Sequence, residues 1–295
     1  MNLVVAFFHL TQSIAGATWG LASQLVQEQA AHHVWNTGYE FRTFIVVVGL
    51  IAGFLIGLTG VGGGTLLTPF LVILSVPPTV AVGTDLFYGS LTKMVASYQH
   101  WKQRSVNWDW VLYLALGSVP CSIWATHIIH TVGQRFGSAD LFVRRSLGVV
   151  LVVAAVATII NEVFAKRLRM KTAFDPKTHK LLVVLVGGVI GFLVGLSSVG
   201  SGSLIAVMLI MISGLPATTI VGTDIVHALL LVTAAAIAHW QIGTVNVPLA
   251  ANLLMGSLPG VWIGSRMAYH MPGRPLRFGV ALLIFGAGLR IVGVS

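Results

Sequence analysis

The chain has 295 residues, 56% of them hydrophobic and only 8% charged, with a mean hydropathy of +0.90. Soluble domains carry roughly 25% charged residues, so a water-soluble globular protein is excluded, and the length accommodates about eight to ten bilayer spans of ~20 residues. The 17 Lys and Arg against 8 Asp and Glu give a formal charge of +9; because the basic residues sit between apolar runs, they orient the chain in a membrane rather than bind nucleic acid.

Residues 1–41 form an N-terminal segment that fits either an extra span or an interfacial helix. Its apolar run is interrupted by His9, Gln12 and Gln24 and lacks the basic start of a cleaved leader. Thr43–Thr59 is apolar and runs into Gly60-Val61-Gly62-Gly63-Gly64. Thr65–Val76 is too short to cross a ~30 Å core as a helix and stops at Pro77-Pro78. Thr79–His100, Trp108–His130 and Val143–Glu162 read as full-length spans. A basic connector over residues 165–180 carries Lys166, Arg167, Arg169, Lys171, Lys177 and Lys180. The pattern then restarts with Leu181–Ser197, a short Ser201–Ser213, Pro216–His239, Val245–Tyr269 and Leu276–Val294.

The restart is a repeat. Gly53-Phe54-Leu55-Ile56-Gly57-Leu58 recurs as Gly191-Phe192-Leu193-Val194-Gly195-Leu196, and Val82-Gly83-Thr84-Asp85 as Val221-Gly222-Thr223-Asp224. His100-Trp101, Val106-Asn107 and Gly117-Ser118-Val119-Pro120 recur as His239-Trp240, Val245-Asn246 and Gly256-Ser257-Leu258-Pro259. The fold class expected is an all-α polytopic membrane protein of two repeats, 42–164 and 181–295, each of about five helical segments. Five crossings, or three if the short pieces form re-entrant hairpins, is an odd number, so the second repeat should be inverted. With the 165–180 connector in the cytoplasm, Lys102, Arg104, Arg266, Arg274 and Arg277 also fall inside, as the positive-inside rule asks. Arg135, Arg144 and Arg145 fall outside and fit less well.

Short, glycine-broken segments in matching positions of inverted repeats mark a solute site near the midplane, where irregular backbone survives only in protein or beside water. Helices starting at Gly64-Thr65 and Gly202-Ser203 would aim free N–H groups at it, as anion sites do. The candidate solute-binding set is Gly62, Gly63, Gly64, Thr65, Thr84, Lys93, Gly200, Ser201, Gly202, Ser203 and Thr223. The competing reading of these glycines is close helix packing.

Gly57 to Pro69 (Gly-Leu-Thr-Gly-Val-Gly-Gly-Gly-Thr-Leu-Leu-Thr-Pro), Val82–Asp85, the basic hairpin around Gln99–Asn107 and their second-half copies resemble the TauE/SafE family, the 4-toluenesulfonate uptake permease group, from about Phe44 onward. The resemblance implies a multi-pass protein of the cell inner (plasma) membrane that exports or takes up sulfite, organosulfonates or other small anions such as carboxylates or thiosulfate.

Charged side chains deep in a bilayer are costly and usually functional. Asp85, Tyr88, Thr92, Lys93, Ala96, Gln99 and His100 share a broad helix face. The repeat-mate carries Asp224, His227 and His239 but has Leu231 and Val232 for Thr92 and Lys93. Lys93 is either the counter-charge for an anion or a snorkelling side chain. Asp85 and Asp224 fit proton carriage, a salt bridge to Lys93, or first-turn positions behind Thr84 and Thr223 as N-caps; His227 is a weaker proton-relay candidate. Trp101 and Trp240 read as anchors at opposite faces.

No Walker-type, His-Glu-x-x-His or Gly-x-Ser-x-Gly sequence occurs, so a gradient-driven secondary transporter is expected rather than an enzyme. No cofactor and no metal site is expected, the lone Cys121 and the His127/His130 pair being too few ligands. The expected partners are a small anionic solute and the lipid bilayer; a homo-oligomer is left open.

Overall fold

A computed structural model describes residues 39–59, 63–168, 175–268 and 273–293. The segment 1–38 and residues 60–62, 169–174, 269–272 and 294–295 lie outside these limits. The described residues contain helices and no strand. The first half has α1 (Tyr39–Thr59), a 3-10 turn (Gly63–Thr65), α2 (Leu67–Ile73), α3 (Pro78–Lys102), α4 (Trp108–Phe136) and α5 (Ala139–Leu168). The second has α6 (Lys180–Ser197), α7 (Ser203–Ile212), α8 (Ala217–Gln241), α9 (Val247–Ala268) and α10 (Gly273–Gly293).

Local chemistry sets these boundaries in matched pairs. Pro77-Pro78 and Pro216 start α3 and α8, as suits a residue with fixed φ and no N–H to satisfy. Asn107 and Asn246 start α4 and α9: their side-chain oxygens accept from the Trp110 and Leu249 N–H groups at 3.3 and 3.0 Å, the N-cap arrangement. α4 ends where Gly137 turns left-handed at φ 64°.

Among the described residues, five helices (α4, α5, α6, α8 and α9) are long and apolar enough to cross a membrane. α3, over the expected span Thr79–His100, is long enough at 25 residues, but its run of Thr84, Asp85, Ser90, Thr92, Lys93 and Ser97 makes it more polar than those five. Such a helix must turn its polar face to protein, and Thr84, Asp85, Ser90 and Ser97 are buried. Gln99, expected on that face, is exposed. The outer surface is apolar, with Trp124, Leu116, Met255, Leu258 and Trp262 uncovered, as a lipid-facing surface should be.

The helices pair across the halves. α1 packs on α9, α6 on α4, α3 on α8 and α5 on α10. The contact register fixes directions. Along α1, Gly49, Gly53 and Gly57 meet Leu253, Ser257 and Val261 in turn, so α1 and α9 run parallel. Gly187, Gly191 and Gly195 of α6 likewise meet Leu114, Ser118 and Ser122 of α4, so these too are parallel. Such approach needs residues without a side chain at the seam. Three buried apolar clusters form the core, one centred on α3, α4, α6 and α8, one on α5 and α10, and one on α1, α2 and α9. The second also receives Leu66 and Val199 from beside the two glycine breaks.

Candidate functional site

The Val-Gly-Thr-Asp sequences fill the second turn of α3 and α8 and reach the third, since those helices begin at Pro78 and Ala217. Thr84 and Thr223 are therefore not N-caps, and Asp85 and Asp224 are not first-turn residues. The prolines set the helix starts further upstream than the Thr-Asp pattern suggests. Each motif instead receives the tight loop of the opposite half. The Asn246 N–H donates to Thr84 Oγ1 at 3.0 Å, and the Asn107 N–H donates to Thr223 Oγ1 at 2.9 Å. A Cβ on Gly83 would collide with Thr244, and one on Gly222 with Ser105.

His100 and His239 shape those loops. Their Nδ1 atoms lie 2.9 Å from Ser105 Oγ and Thr244 Oγ1. His239 Nε2 is 3.1 Å from the Gly195 carbonyl, which can only accept, so Nε2 carries a proton, and the Thr244 hydroxyl also donates to the His239 carbonyl at 3.0 Å. Each histidine thus braces the loop of its own half, and that loop in turn docks on the other half through Asn107 or Asn246, while Trp101 and Trp240 are 59% and 54% exposed. Removing either threonine hydroxyl leaves a loop N–H unpaired. Thr84→Val and Thr223→Val are each expected to cost ~1–3 kcal/mol, seen as a lower unfolding temperature in detergent, with Thr→Ser at either site retaining it.

These loops also fix the relation of α3 to α8. The loop at the C-terminal end of α3 docks near the start of α8, and the loop ending α8 docks near the start of α3. The two helices are antiparallel. Lys177 pairs with Asp109 at 3.1 Å, and the Lys180 ammonium lies over the Tyr113 ring. The connector therefore sits at the same end as Lys102 and Arg104. α9 starts at the other end, so its terminal Arg266, stacked on Trp262 at 3.8 Å, joins this basic end.

Between these fastenings lies a buried polar cluster. Asp85 is 1% exposed. Its Oδ2 accepts from Thr68 Oγ1 at 2.5 Å and from Ser198 Oγ at 2.8 Å. Its Oδ1 is buried with no hydrogen-bond partner among the described residues. Thr68 and Ser198 come from the segments beside the two breaks, and Gly64 approaches Ser198 so closely that a Cβ would meet its carbonyl. Asp224 is 7% exposed, receives no hydrogen bond from a described residue, and also has a partnerless Oδ1. Lys93 lies within electrostatic reach of both carboxylates, Asp224 the more strongly, without a direct ion pair among the described residues. His227 Nε2 lies 2.8 Å from Ser118 Oγ, and at the matching position of the first half Tyr88 Oη donates to Ser257 Oγ at 2.9 Å.

The remaining candidates divide. Thr65 and Ser201 are buried, and Ser203 Oγ is buried without a partner. Gly200 takes φ 96°, a conformation open to glycine, and Gly202 precedes α7 as expected. The first half differs: Gly63–Thr65 form a 3-10 turn and α2 begins only at Leu67, not at Gly64-Thr65. With 7 residues, α2 has little dipole to offer an anion. Gly62 lies outside the described residues. Sequence reasoning missed Thr68 and Ser198, and it missed Asn107 and Asn246. The asparagines carried a signal, each directly preceding an apolar run. The two hydroxyls carried none.

Comparison with known proteins places this chain among membrane transporters. A family model described as sulfite exporter TauE/SafE matches residues 45–291. The chain is 43% identical over 250 residues to the probable membrane transporter protein YjnA of Bacillus subtilis, covering 84% of this chain and 98% of that protein. It is 28% identical over 241 residues to the probable membrane transporter protein YunE of the same organism, covering 76% and 85%. A probable membrane transporter protein of Methanocaldococcus jannaschii, MJ0441, is 28% identical over 173 residues, covering 57% and 61%. No solved structure matches.

Proposed function

Because the chain belongs to the TauE/SafE sulfite exporter family of membrane transporters, we propose that it moves a small sulfur-containing anion, sulfite or an organosulfonate, by alternating access. The observation that carries this reading is the buried cluster between the two broken segments, where Lys93 is a cation with no direct ion pair among the described residues. An anion reaching that cluster meets Lys93 as its counter-charge. The hydroxyls of Ser203, Thr65 and Ser201 and the backbone at Gly64, Gly200 and Gly202 line the approach. Asp85 and Asp224 are the coupling groups, with His227 beside them, because two carboxylates at this depth must be balanced whenever an anion enters.

The halves move as inverted repeats in this proposal. The support is that α3 and α8, equivalent by sequence, run antiparallel, while α1 runs parallel to α9 and α4 to α6. With the tight loops that join α3 to α4 and α8 to α9, those directions set α3, α4 and α1 opposite to their repeat-mates α8, α9 and α6, which supports the inverted reading. The end carrying Lys102, Arg104, Lys177, Lys180 and Arg266 is cytoplasmic, following the positive-inside rule. Two single-cysteine variants in a Cys121→Ser background, Arg104→Cys and Gln241→Cys, are then expected to react with a membrane-impermeant maleimide from opposite faces of oriented vesicles. Labelling from one face would dismiss the inverted arrangement.

The substrate is tested directly by flux of radiolabelled sulfite, an organosulfonate, thiosulfate and a small carboxylate into proteoliposomes under imposed ion gradients. Uptake of the sulfur anions that the others compete for weakly supports the reading. Selective carboxylate uptake would replace it with a carboxylate transporter.

A further inference from the structure

We propose that Asp85, Thr68 and Ser198 form a binding site for one sodium ion. Its role as coupling ion rests on the transport reading above; its existence does not.

Three side-chain oxygens from three separate elements converge there. Both hydroxyls reach a single carboxylate oxygen, Asp85 Oδ2, at 2.5 and 2.8 Å. Hydroxyls rotate freely about the C–O bond and can present lone pairs in place of protons. The other oxygen, Oδ1, is buried and has no hydrogen-bond partner among the described residues. A proton placed on Oδ1 would find no acceptor, whereas a metal ion held against it needs none. Small hard cations prefer all-oxygen sets of this kind.

The surroundings favour positive charge. Ser198 is the C-cap of α6, left-handed at φ 60°, with its N–H bonded to the Val194 carbonyl at 2.7 Å. The last carbonyls of a helix carry partial negative charge and attract cations. In broken-helix transporters such ends coordinate the driving ion.

The charge of the ion follows from its ligands. One carboxylate and two neutral hydroxyls supply a single negative charge, so a divalent ion would leave a buried excess. No group of three or more His, Cys, Asp or Glu residues suited to a metal occurs among the described residues. The other ionisable groups of the cluster are Lys93 and Tyr88 on α3 with Asp224, His227 and His239 on α8. Sodium at Asp85 and Lys93 near Asp224 together balance both carboxylates. An anion then enters a neutral cluster rather than a negative one.

The repeat makes the site single. At the Asp224 copy the position of Ser198 is Gly60 and that of Thr68 is Ala206 or Val207, depending on where the one-residue offset falls. Neither supplies an oxygen. Lys93, in turn, is Val232 in the second half. The Asp85 site thus draws Asp85 and Thr68 from the first half and Ser198 from the second, while its copy at Asp224 keeps the carboxylate without either hydroxyl.

The test needs no knowledge of the anion. Purified full-length protein is assayed for 22Na+ binding, and for unfolding temperature in NaCl against choline chloride at constant ionic strength. One saturable site per chain and a sodium-dependent rise in unfolding temperature are expected. Asp85→Asn should abolish both. Thr68→Val and Ser198→Gly should each weaken sodium binding by about tenfold, the loss of one ligand worth ~1.4 kcal/mol. Ser198→Gly is the decisive variant, because glycine accepts the left-handed backbone at no cost, so a lost ion cannot be blamed on lost folding. Thr158→Val, remote on α5, should leave binding unchanged. Absence of saturable 22Na+ binding in folded protein, or unaltered affinity in Ser198→Gly and Thr68→Val, overturns the site. Failure of every anion to move in proteoliposomes would instead sink the transport reading and leave a sodium-binding result intact.

Discussion

Lys93→Ala is expected to abolish anion flux while the protein still reaches the membrane. Taking away one member of a buried charge group strands the others, at a cost of ~3–5 kcal/mol. Here Asp85 and Asp224 would face an incoming anion with no fixed positive charge between them. Apparent anion affinity should fall by at least about a hundredfold, since each ~1.4 kcal/mol is a factor of ten. Lys93→Arg keeps the charge and should retain measurable flux. Lys93→Ala with Asp224→Asn removes a positive and a negative charge together, and should recover yield without recovering transport. The measurement is initial uptake rate against anion concentration, normalised to protein inserted in the vesicles. If Lys93 merely snorkels to the interface, Lys93→Ala leaves affinity alone and lowers insertion only, and the assigned counter-charge is wrong.

The features that decide this cluster were unequally visible in the sequence. The polarity of α3 was plain, and so was its recurrence, because Asp85 and Asp224 stand in identical four-residue contexts. The short helices could be anticipated from Pro77-Pro78 and the glycine runs, whose effects are local. What stayed hidden is what depends on distant pairing. Thr84 looks like a helix cap because Thr-Asp so often is one, yet it serves a backbone N–H 162 residues away. Ser198 binds a carboxylate 113 residues away, and nothing in its own neighbourhood distinguishes it from a packing residue. The asymmetry between the halves was half legible. The exchange of Lys93 for Val232 can be read by aligning the repeats, but the exchange of Ser198 for Gly60 gains meaning only once Ser198 is known to touch Asp85. A repeat reveals which positions matter twice; it does not reveal which partner each one has.

Gly256→Ala is expected to be the most damaging single-methyl change in the chain. On Gly256 a Cβ would overlap the Val46 carbonyl and crowd the Leu50 N–H of α1, and both are backbone, so no rotamer change relieves the clash. Gly260 and Gly264 stack the same contact along the next two turns against Leu50 and Phe54, while Gly49, Gly53 and Gly57 return it from α1. Pushing one turn of α9 outward therefore opens the whole seam. Overpacking in a dense core typically costs ~1–3 kcal/mol, and a seam that cannot yield locally lies at or above the top of that range. Gly89→Ala is the matched control: it lies within α3, and nothing stands within 4 Å of an added Cβ. The helix gains propensity there, by ~1 kcal/mol for Gly to Ala. Thermal unfolding and monodisperse yield in detergent should separate the two variants clearly, with Gly256→Ala poorly recovered and Gly89→Ala at least as stable as the parent. Because α1 and α9 belong to different halves, the result also bears on mechanism. A seam this tight moves as a unit, so alternating access must be carried by other contacts, foremost the α3–α8 pair, whose loops are each held by one hydrogen bond, at Thr84 and Thr223, and one close glycine approach, at Gly83 and Gly222, rather than by a seam of six glycines. Equal stability of Gly256→Ala and the parent would mean that α1 and α9 can separate, and the moving boundary would then have to be placed between them.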